Sequence, residues 1–188
     1  MHRIYLIRHG ETEWSAAGKH TSHTDIALTT RGEDQARALA GRLPAVFDAV
    51  LTSPRRRARQ TCTIAGVLPP AMVEPDLTEW EYGDYEGRLS SEIRATRPGW
   101  TIFEDGCPGG ESPEQVSVRA DRVIARLRGL KGTVAVFTHG HFGRVLGARW
   151  IGLPVADARR LLLDTASISV LEYENDLGEQ PVIARWNG

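Results

Sequence analysis

Two histidines stand in matched settings. Leu6-Ile7-Arg8-His9-Gly10 and Val136-Phe137-Thr138-His139-Gly140 both end an apolar run with histidine followed by glycine. Imidazole is nucleophilic near neutral pH, and a glycine beside it lets the backbone turn sharply and approach a ligand closely. If the two runs are neighbouring strands, the rings meet face to face at one anion cradle to which backbone N-H groups contribute. A third segment, Ser53-Pro54-Arg55-Arg56-Arg57-Ala58-Arg59, places four arginines at a helix start, where the helix dipole already favours negative charge. With Arg8 added, these groups predict a pocket for a dianion such as phosphate. Taken singly, each has a plainer reading: a strand-end histidine is usually hydrogen-bonded structure, and most of an arginine run is a solvated helix face. A metal site is the other sharp option, since His20-x-x-His23 and His139-x-His141 offer four imidazoles. No carboxylate cluster lies adjacent and Arg8 and Arg57 would repel a cation, so the sequence favours no metal.

The intervening elements must carry these groups to one place. Arg3 to Ile7 reads as a short buried strand. Thr30-Arg31-Gly32-Glu33 has capping-box spacing and opens an amphipathic helix through Ala36, Leu39, Ala40 and Leu43, stopped by Pro44. Asp48 to Thr52 predicts a second strand, after which Ser53 as cap and Pro54 in the first turn open a helix over Arg55 to Val67 that Pro69-Pro70 closes. Met72 to Gly110 is irregular and rich in aromatics, carboxylates and glycines, which predicts an inserted lid with one short helix after Ser90 or Ser91. Ser112-Pro113-Glu114-Gln115 is a second capping box, leading a helix whose inner face is Val116, Ala120, Val123, Ile124 and Leu127. Thr133 to Thr138 predicts a buried strand, followed by a helix carrying Val145, Leu146, Trp150 and Ile151. A short helix near Val155 to Leu163 and a hairpin of Ser167 to Tyr173 with Val182 to Trp186, joined by an Asn/Asp/Gly turn, complete the chain. Strands alternating with helices imply one α/β domain over residues 1–188, a three-layer α/β/α arrangement with a mostly parallel sheet. Its ligands gather beyond the carboxyl ends of the strands.

Composition narrows the function further. The chain has 188 residues, 41% of them hydrophobic and 25% charged, enough to bury a core and unlike a disordered chain. With 23 Lys+Arg against 24 Asp+Glu, the formal net charge of −1 argues against a protein that holds nucleic acid or an acidic membrane through its overall field. Apolar stretches such as Thr133 to Phe137 are too short to span a bilayer, and Met1-His2-Arg3 leads straight into strand-like sequence without a signal-peptide core. A cytoplasmic setting is expected, with Cys62 and Cys107 as free thiols.

The motifs, taken together, carry a resemblance. Arg8-His9-Gly10-Glu11-Thr12-x-Trp14, Ser53-Pro54-x-x-Arg57-Ala58-x-Gln60-Thr61, Leu77-x-Glu79-x-x-x-Gly83-x-x-Glu86-Gly87, Gly110-Glu111-Ser112 and Thr138-His139-Gly140 resemble the five successive signatures of the histidine phosphatase superfamily, whose fold is phosphoglycerate mutase-like. Trp80-Glu81-Tyr82-Gly83-Asp84-Tyr85-Glu86-Gly87 is similar to the branch that includes sedoheptulose-1,7-bisphosphatase and mycobacterial acid phosphatases. The resemblance implies that His9 is the nucleophile that becomes phosphorylated, that Arg8, Arg57 and His139 hold the transferring phosphoryl group, and that Glu79 is the general acid. It offers Thr21 and Ser22 as contacts from the first loop, and Ser15, Tyr82, His141 and Arg144 as further substrate contacts. Ser15 stands where asparagine is usual and Ser22 where glycine is common, which predicts rearranged phosphate contacts there. The roles are chemically coherent: a phosphoramidate splits one hard displacement into two easier ones, guanidinium forks and a protonatable His139 meet the phosphoryl charge, and no cofactor is needed. Glu79 would need a pKa lifted by phosphate and burial, giving an acid pH optimum. The expected activity is a metal-independent phosphomonoesterase acting on small phosphorylated metabolites, sugar phosphates among them, through phosphohistidine. The lid is too short and too poor in cations for the water exclusion that a phosphoglycerate mutase needs, and that enzyme stands second. A non-catalytic phospho-ligand binder is the alternative from another class.

Overall fold

The computed structural model describes residues 2–174 and 180–188. In chain order the elements are β1 (Arg3–Arg8), α1 (Glu13–Ala16), α2 (Thr30–Leu39), β2 (Ala49–Thr52), α3 (Arg56–Ala65), β3 (Met72–Val73), α4 (Ser90–Thr96), α5 (Ile102–Asp105), α6 (Pro113–Gly129), β4 (Thr133–Thr138), α7 (Gly140–Trp150), β5 (Ile168–Tyr173) and β6 (Pro181–Arg185). One sheet of six strands runs β3-β2-β4-β1-β5-β6. The first four strands are mutually parallel, while β5 and β6 run antiparallel at the far edge. The mostly parallel three-layer architecture is therefore present.

Alternation along the strands explains the layers, because successive side chains point to opposite faces. Ile4, Leu6, Val134 and Val136 point into a core shared with Val116, Val123 and Leu127 of α6 and Val145 and Leu146 of α7. Ile7, Val50, Ala135 and Phe137 point the other way, onto Leu39 of α2 and Cys62 and Ala65 of α3. With both faces covered, each fully buried aliphatic side chain contributes roughly 1.5–3 kcal/mol of transfer free energy. The central pair decides the function: β1 and β4 are adjacent and in register, with Arg8 opposite Thr138, so the residues just beyond them, His9 and His139, leave the sheet side by side.

Several local expectations need correction. The cap of α2 is Thr29 rather than Thr30, and its side-chain oxygen accepts from the Gly32 N-H. Ser53 does not cap α3, which starts at Arg56 behind an Arg55 cap that makes no side-chain bond, and the helix stops at Gly66, before Pro69. The stretch from 72 to 110 holds two short α-helices, α4 and α5, not one, and two 3-10 turns at Pro75–Leu77 and Gly83–Tyr85. Its Leu77, Trp80, Tyr82, Tyr85, Ile93, Trp100 and Phe103 are buried in the α6/α7 core, so aromatic packing orders a segment that has no helical or strand periodicity. Residues Val155–Arg160 form a 3-10 segment, shorter than the expected helix. By contrast, the Ser112/Gln115 capping box opens α6 as expected. The β5–β6 pairing matches the expected hairpin, while its Asn/Asp/Gly turn lies outside the described residues.

Candidate active site

The two rings that leave β1 and β4 lie with centroids 5.2 Å apart and planes inclined at 64°. They meet edge to face, not face to face as expected, because each is held by different partners. His9 Nδ1 is 2.7 Å from the Gly10 carbonyl oxygen. A carbonyl can only accept, so Nδ1 carries the proton and the Nε2 lone pair is bare. Burial, followed by the nearby Arg57 and Arg8 charges, pushes the His9 pKa well below its ordinary value, so the ring is neutral. A bare Nε2 on a neutral imidazole is a nucleophile ready for use.

His139 is held on both nitrogens. Arg57 Nε donates to its Nδ1 at 3.2 Å, which leaves Nε2-H to donate to Ser53 Oγ at 2.7 Å. Burial and the Arg57 guanidinium keep its pKa well below the usual imidazole range. The expected protonatable His139 is thus a neutral ring with both nitrogens occupied. Ser53, expected only as a helix cap, pairs with His139 across 86 residues, a partnership invisible to any local pattern.

Arg57 lies under the same floor. It is fully buried, and its terminal nitrogens donate to the carbonyls of Thr24 (3.2 Å), Thr21 (2.9 Å) and Ser22 (3.3 Å). Neither Arg57 nor His139 lines the cavity above His9. They set its charge from beneath, while Arg8 lines it directly. Arg8 donates to the Leu163 carbonyl at 2.5 Å, and its Nε is buried without a hydrogen-bond partner. A Cβ at position 140 would sit 3.3 Å from the Arg8 guanidinium carbon, so Gly140 gives that group room. The Arg8 charge and the bare His9 nitrogen belong to the lining of one cavity, which favours an arriving oxyanion.

Glu79 closes another side of the cavity, which has a volume of about 240 Å³. Its carboxylate accepts from the backbone N-H groups of Trp80 (3.0 Å), Phe142 (2.7 Å) and His141 (3.1 Å), the last two at the start of α7. The strap carrying Glu79 is fastened to α6 by Arg119, which donates to the carbonyls of Asp76 and Thr78 at 2.8 Å and of Glu79 at 3.2 Å. Arg119 also pairs with Glu111 at 2.6 Å, and Glu111 accepts from the Glu81 N-H at 2.9 Å. The chemical reading gave Arg119 no role, because its partners are backbone carbonyls far away in sequence.

The remaining wall is aromatic. Tyr82 donates or accepts across 2.6 Å to His141 Nδ1, and His20 stacks on Tyr82 with centroids 4.6 Å apart. Burial lowers His20 to about 4 and holds His141 well below its ordinary value, so this wall is uncharged. Arg144 lies 4.5 Å over the Phe103 ring and also lines the cavity, with Ser15 and Thr21 on the opposite rim. Ser15 is at the same time part of the Thr12 capping box of α1. Ser22 departs from expectation: it does not line the cavity, and its hydroxyl and N-H bind the Glu86 carboxylate at 2.7 and 2.8 Å. His20, Lys19 and Ser90 line the cavity and were not foreseen as contacts. His23 is exposed, and no group of three or more His, Cys, Asp or Glu among the described residues is placed to hold a metal.

One close approach fixes the loop that carries His9. A Cβ on Gly10 would fall 2.4 Å from the Gly32 carbonyl oxygen, and one on Gly32 would fall 2.1 Å from the Glu11 oxygen. Backbone therefore rests directly on backbone where α2 begins.

The chain is similar to known proteins along most of its length. The chain is 41% identical over 188 residues to an acid phosphatase of Mycobacterium tuberculosis, covering 97% of this chain and 92% of that protein. It is 38% identical to the sedoheptulose 1,7-bisphosphatase of Saccharomyces cerevisiae, covering 81% of this chain and 69% of the relative. The solved structure of the Mycobacterium tuberculosis open reading frame Rv3214 superposes with a TM-score of 0.92 at 38% identity, covering 99% of this chain and 97% of that one. The profile of the histidine phosphatase superfamily (branch 1) matches residues 4–188, and the chain belongs to that family.

Proposed function

We propose that this phosphatase hydrolyses phosphomonoesters of small metabolites through a phosphohistidine at His9 Nε2. The observation that carries the reading is the bare, neutral Nε2 of His9 at a cavity that Arg8 and Glu79 also line. In the first step Nε2 bonds to phosphorus, the ester P-O bond breaks, and a protonated Glu79 gives its proton to the leaving alkoxide. In the second, Glu79 takes a proton from water, the water oxygen bonds to phosphorus, and the P-N bond breaks to release phosphate and restore His9. Arg8 meets the equatorial oxygens, while Arg57 and His139 act from below, the first through its charge and the second by bracing Arg57.

Residues 72–110 act in this reading as the insert that walls the cavity, supplying Glu79, Tyr82 and Ser90. Tyr82, His141, Arg144, Ser15 and Thr21 surround the leaving group, and Ser22 serves the loop rather than the substrate. The cavity's size and mixed polar lining suit a sugar phosphate, in line with the bisphosphatase among the relatives. No helix among the described residues is long and apolar enough to cross a membrane. Cys62 and Cys107, both buried and free, suit a reducing cytoplasmic setting.

The experiment is p-nitrophenyl phosphate release in EDTA by the wild type and by His9→Ala. Turnover that survives chelation and disappears in the variant is expected. Activity surviving the replacement would overturn the mechanism. Incubation with 3-phosphoglycerate and a trace of 2,3-bisphosphoglycerate should liberate inorganic phosphate, and accumulation of 2-phosphoglycerate instead would favour a mutase.

A further inference from the structure

Thr61, buried on the second turn of the arginine-led helix α3, makes two hydrogen bonds that converge on the nucleophile. Its hydroxyl donates to the Arg57 carbonyl at 2.7 Å, which fixes the rotamer and points the oxygen's lone pairs away from α3. That oxygen accepts from the Gly10 N-H at 2.9 Å. The carbonyl of the same glycine accepts from His9 Nδ1 at 2.7 Å. Thr61 is fully buried, so no solvent can take over the bond.

We propose that Thr61 is a positioning residue for the phosphorylated histidine, fixing the Gly10 main chain so that His9 keeps its proton on Nδ1 and presents only Nε2 to phosphorus. The inference rests on the phosphohistidine reading above. A planar peptide group leaves the main chain two soft torsions per residue, and Gly10, lacking a side chain, is the least restrained point of the loop. The Gly32 carbonyl blocks one side of Gly10, and the Thr61 hydroxyl holds its N-H on another. Loss of the hydroxyl orphans a buried N-H and frees the glycine to rotate, and the carbonyl that selects the His9 tautomer moves with it. The Arg57 carbonyl keeps its ordinary helical partner, so the helix itself loses little.

The test compares Thr61→Val, which keeps the volume but not the hydroxyl, with Thr61→Ser, which keeps the hydroxyl. T61V should lower kcat about tenfold or more with KM changed less than about threefold, as expected when alignment rather than binding is lost. Phosphoenzyme trapped by alkaline denaturation, which preserves the acid-labile P-N bond, should carry phosphate on Nε2 alone in the wild type and in T61S, and on both ring nitrogens in T61V. Wild-type kcat with phosphate on Nε2 alone in T61V overturns the proposal. If T61V does not fold, nuclear magnetic resonance on the unaltered protein decides: slow exchange of the Gly10 amide with His9 protonated on Nδ1 supports the assignment, and a rapidly exchanging amide or a proton on Nε2 overturns it. Absence of any phosphohistidine in the wild type would instead count against the mechanism, while the amide and tautomer measurements would still report on the hold that Thr61 exerts.

Discussion

At the scale of single residues, the site divides into groups that face the substrate and groups that govern those groups. His9, Arg8 and Glu79 line the cavity, whereas His139 and Arg57 are sealed under it. The paired His-Gly strand ends made both histidines legible in the sequence, because a residue that closes a strand in a parallel sheet emerges at the ligand-binding edge. Burial of His139 and Arg57 was not legible, since it depends on the carbonyls of Thr21, Ser22 and Thr24 folding over the guanidinium. Glu79→Gln tests the proton-transfer role. Turnover of an alkyl phosphate should fall by about 10²–10⁴-fold, the usual worth of a positioned acid. The fall in phosphoenzyme formation should be much smaller for p-nitrophenyl phosphate, whose leaving group hardly needs a proton. Rapid-quench measurement of phosphoenzyme with both esters checks this, and equal losses would remove Glu79 from leaving-group protonation.

At the scale of elements, local signals succeeded where the partners were local. Ser112 and Gln115 are three residues apart, and their reciprocal bonds appear as the spacing requires. Ser53 misled because its hydroxyl, which accepts from the Arg55 N-H at 3.3 Å and pairs with His139, lies two residues ahead of the Arg55 cap of α3. The segment from 72 to 110 was opaque because its order comes from aromatic packing and from Arg119, neither of which leaves a period in the sequence. Gly83 marks how tightly the strap is seated: its φ is +51°, and a Cβ there would lie 2.2 Å from the Pro108 carbonyl oxygen. Gly83→Ala should therefore destabilise the fold by about 1–3 kcal/mol, as overpacking does, and lower turnover by shifting Glu79 and Tyr82 together. Urea unfolding read beside kcat measures both effects, and an unchanged unfolding midpoint would contradict the crowding seen at this turn.

For the molecule as a whole, three buried imidazoles and the partly buried His141 set a limit on working pH. Burial lowers His9, His20, His139 and His141 below their unfolded value of 6.5, His20 to about 4. Between the folded and unfolded values the unfolded chain binds protons that the native one refuses, so their contribution is complete above pH 6.5 and declines as pH falls. Each such group adds a slope of roughly 1.4 kcal/mol per pH unit within that window. Urea midpoints should accordingly drop steeply from pH 7 to pH 5, and a flat profile would mean that the rings are accessible to protons in the native state.

The bare contact between the turns at Gly10 and Gly32 gives the molecule a stiff joint next to its reactive nitrogen. Where main chain bears on main chain, no rotamer is available to absorb a displacement, so a nudge to the beginning of α2 travels undamped to the ring. Assays of variants along that helix's outer surface, remote from any ligand, are therefore the place to find losses of rate unaccompanied by losses of affinity.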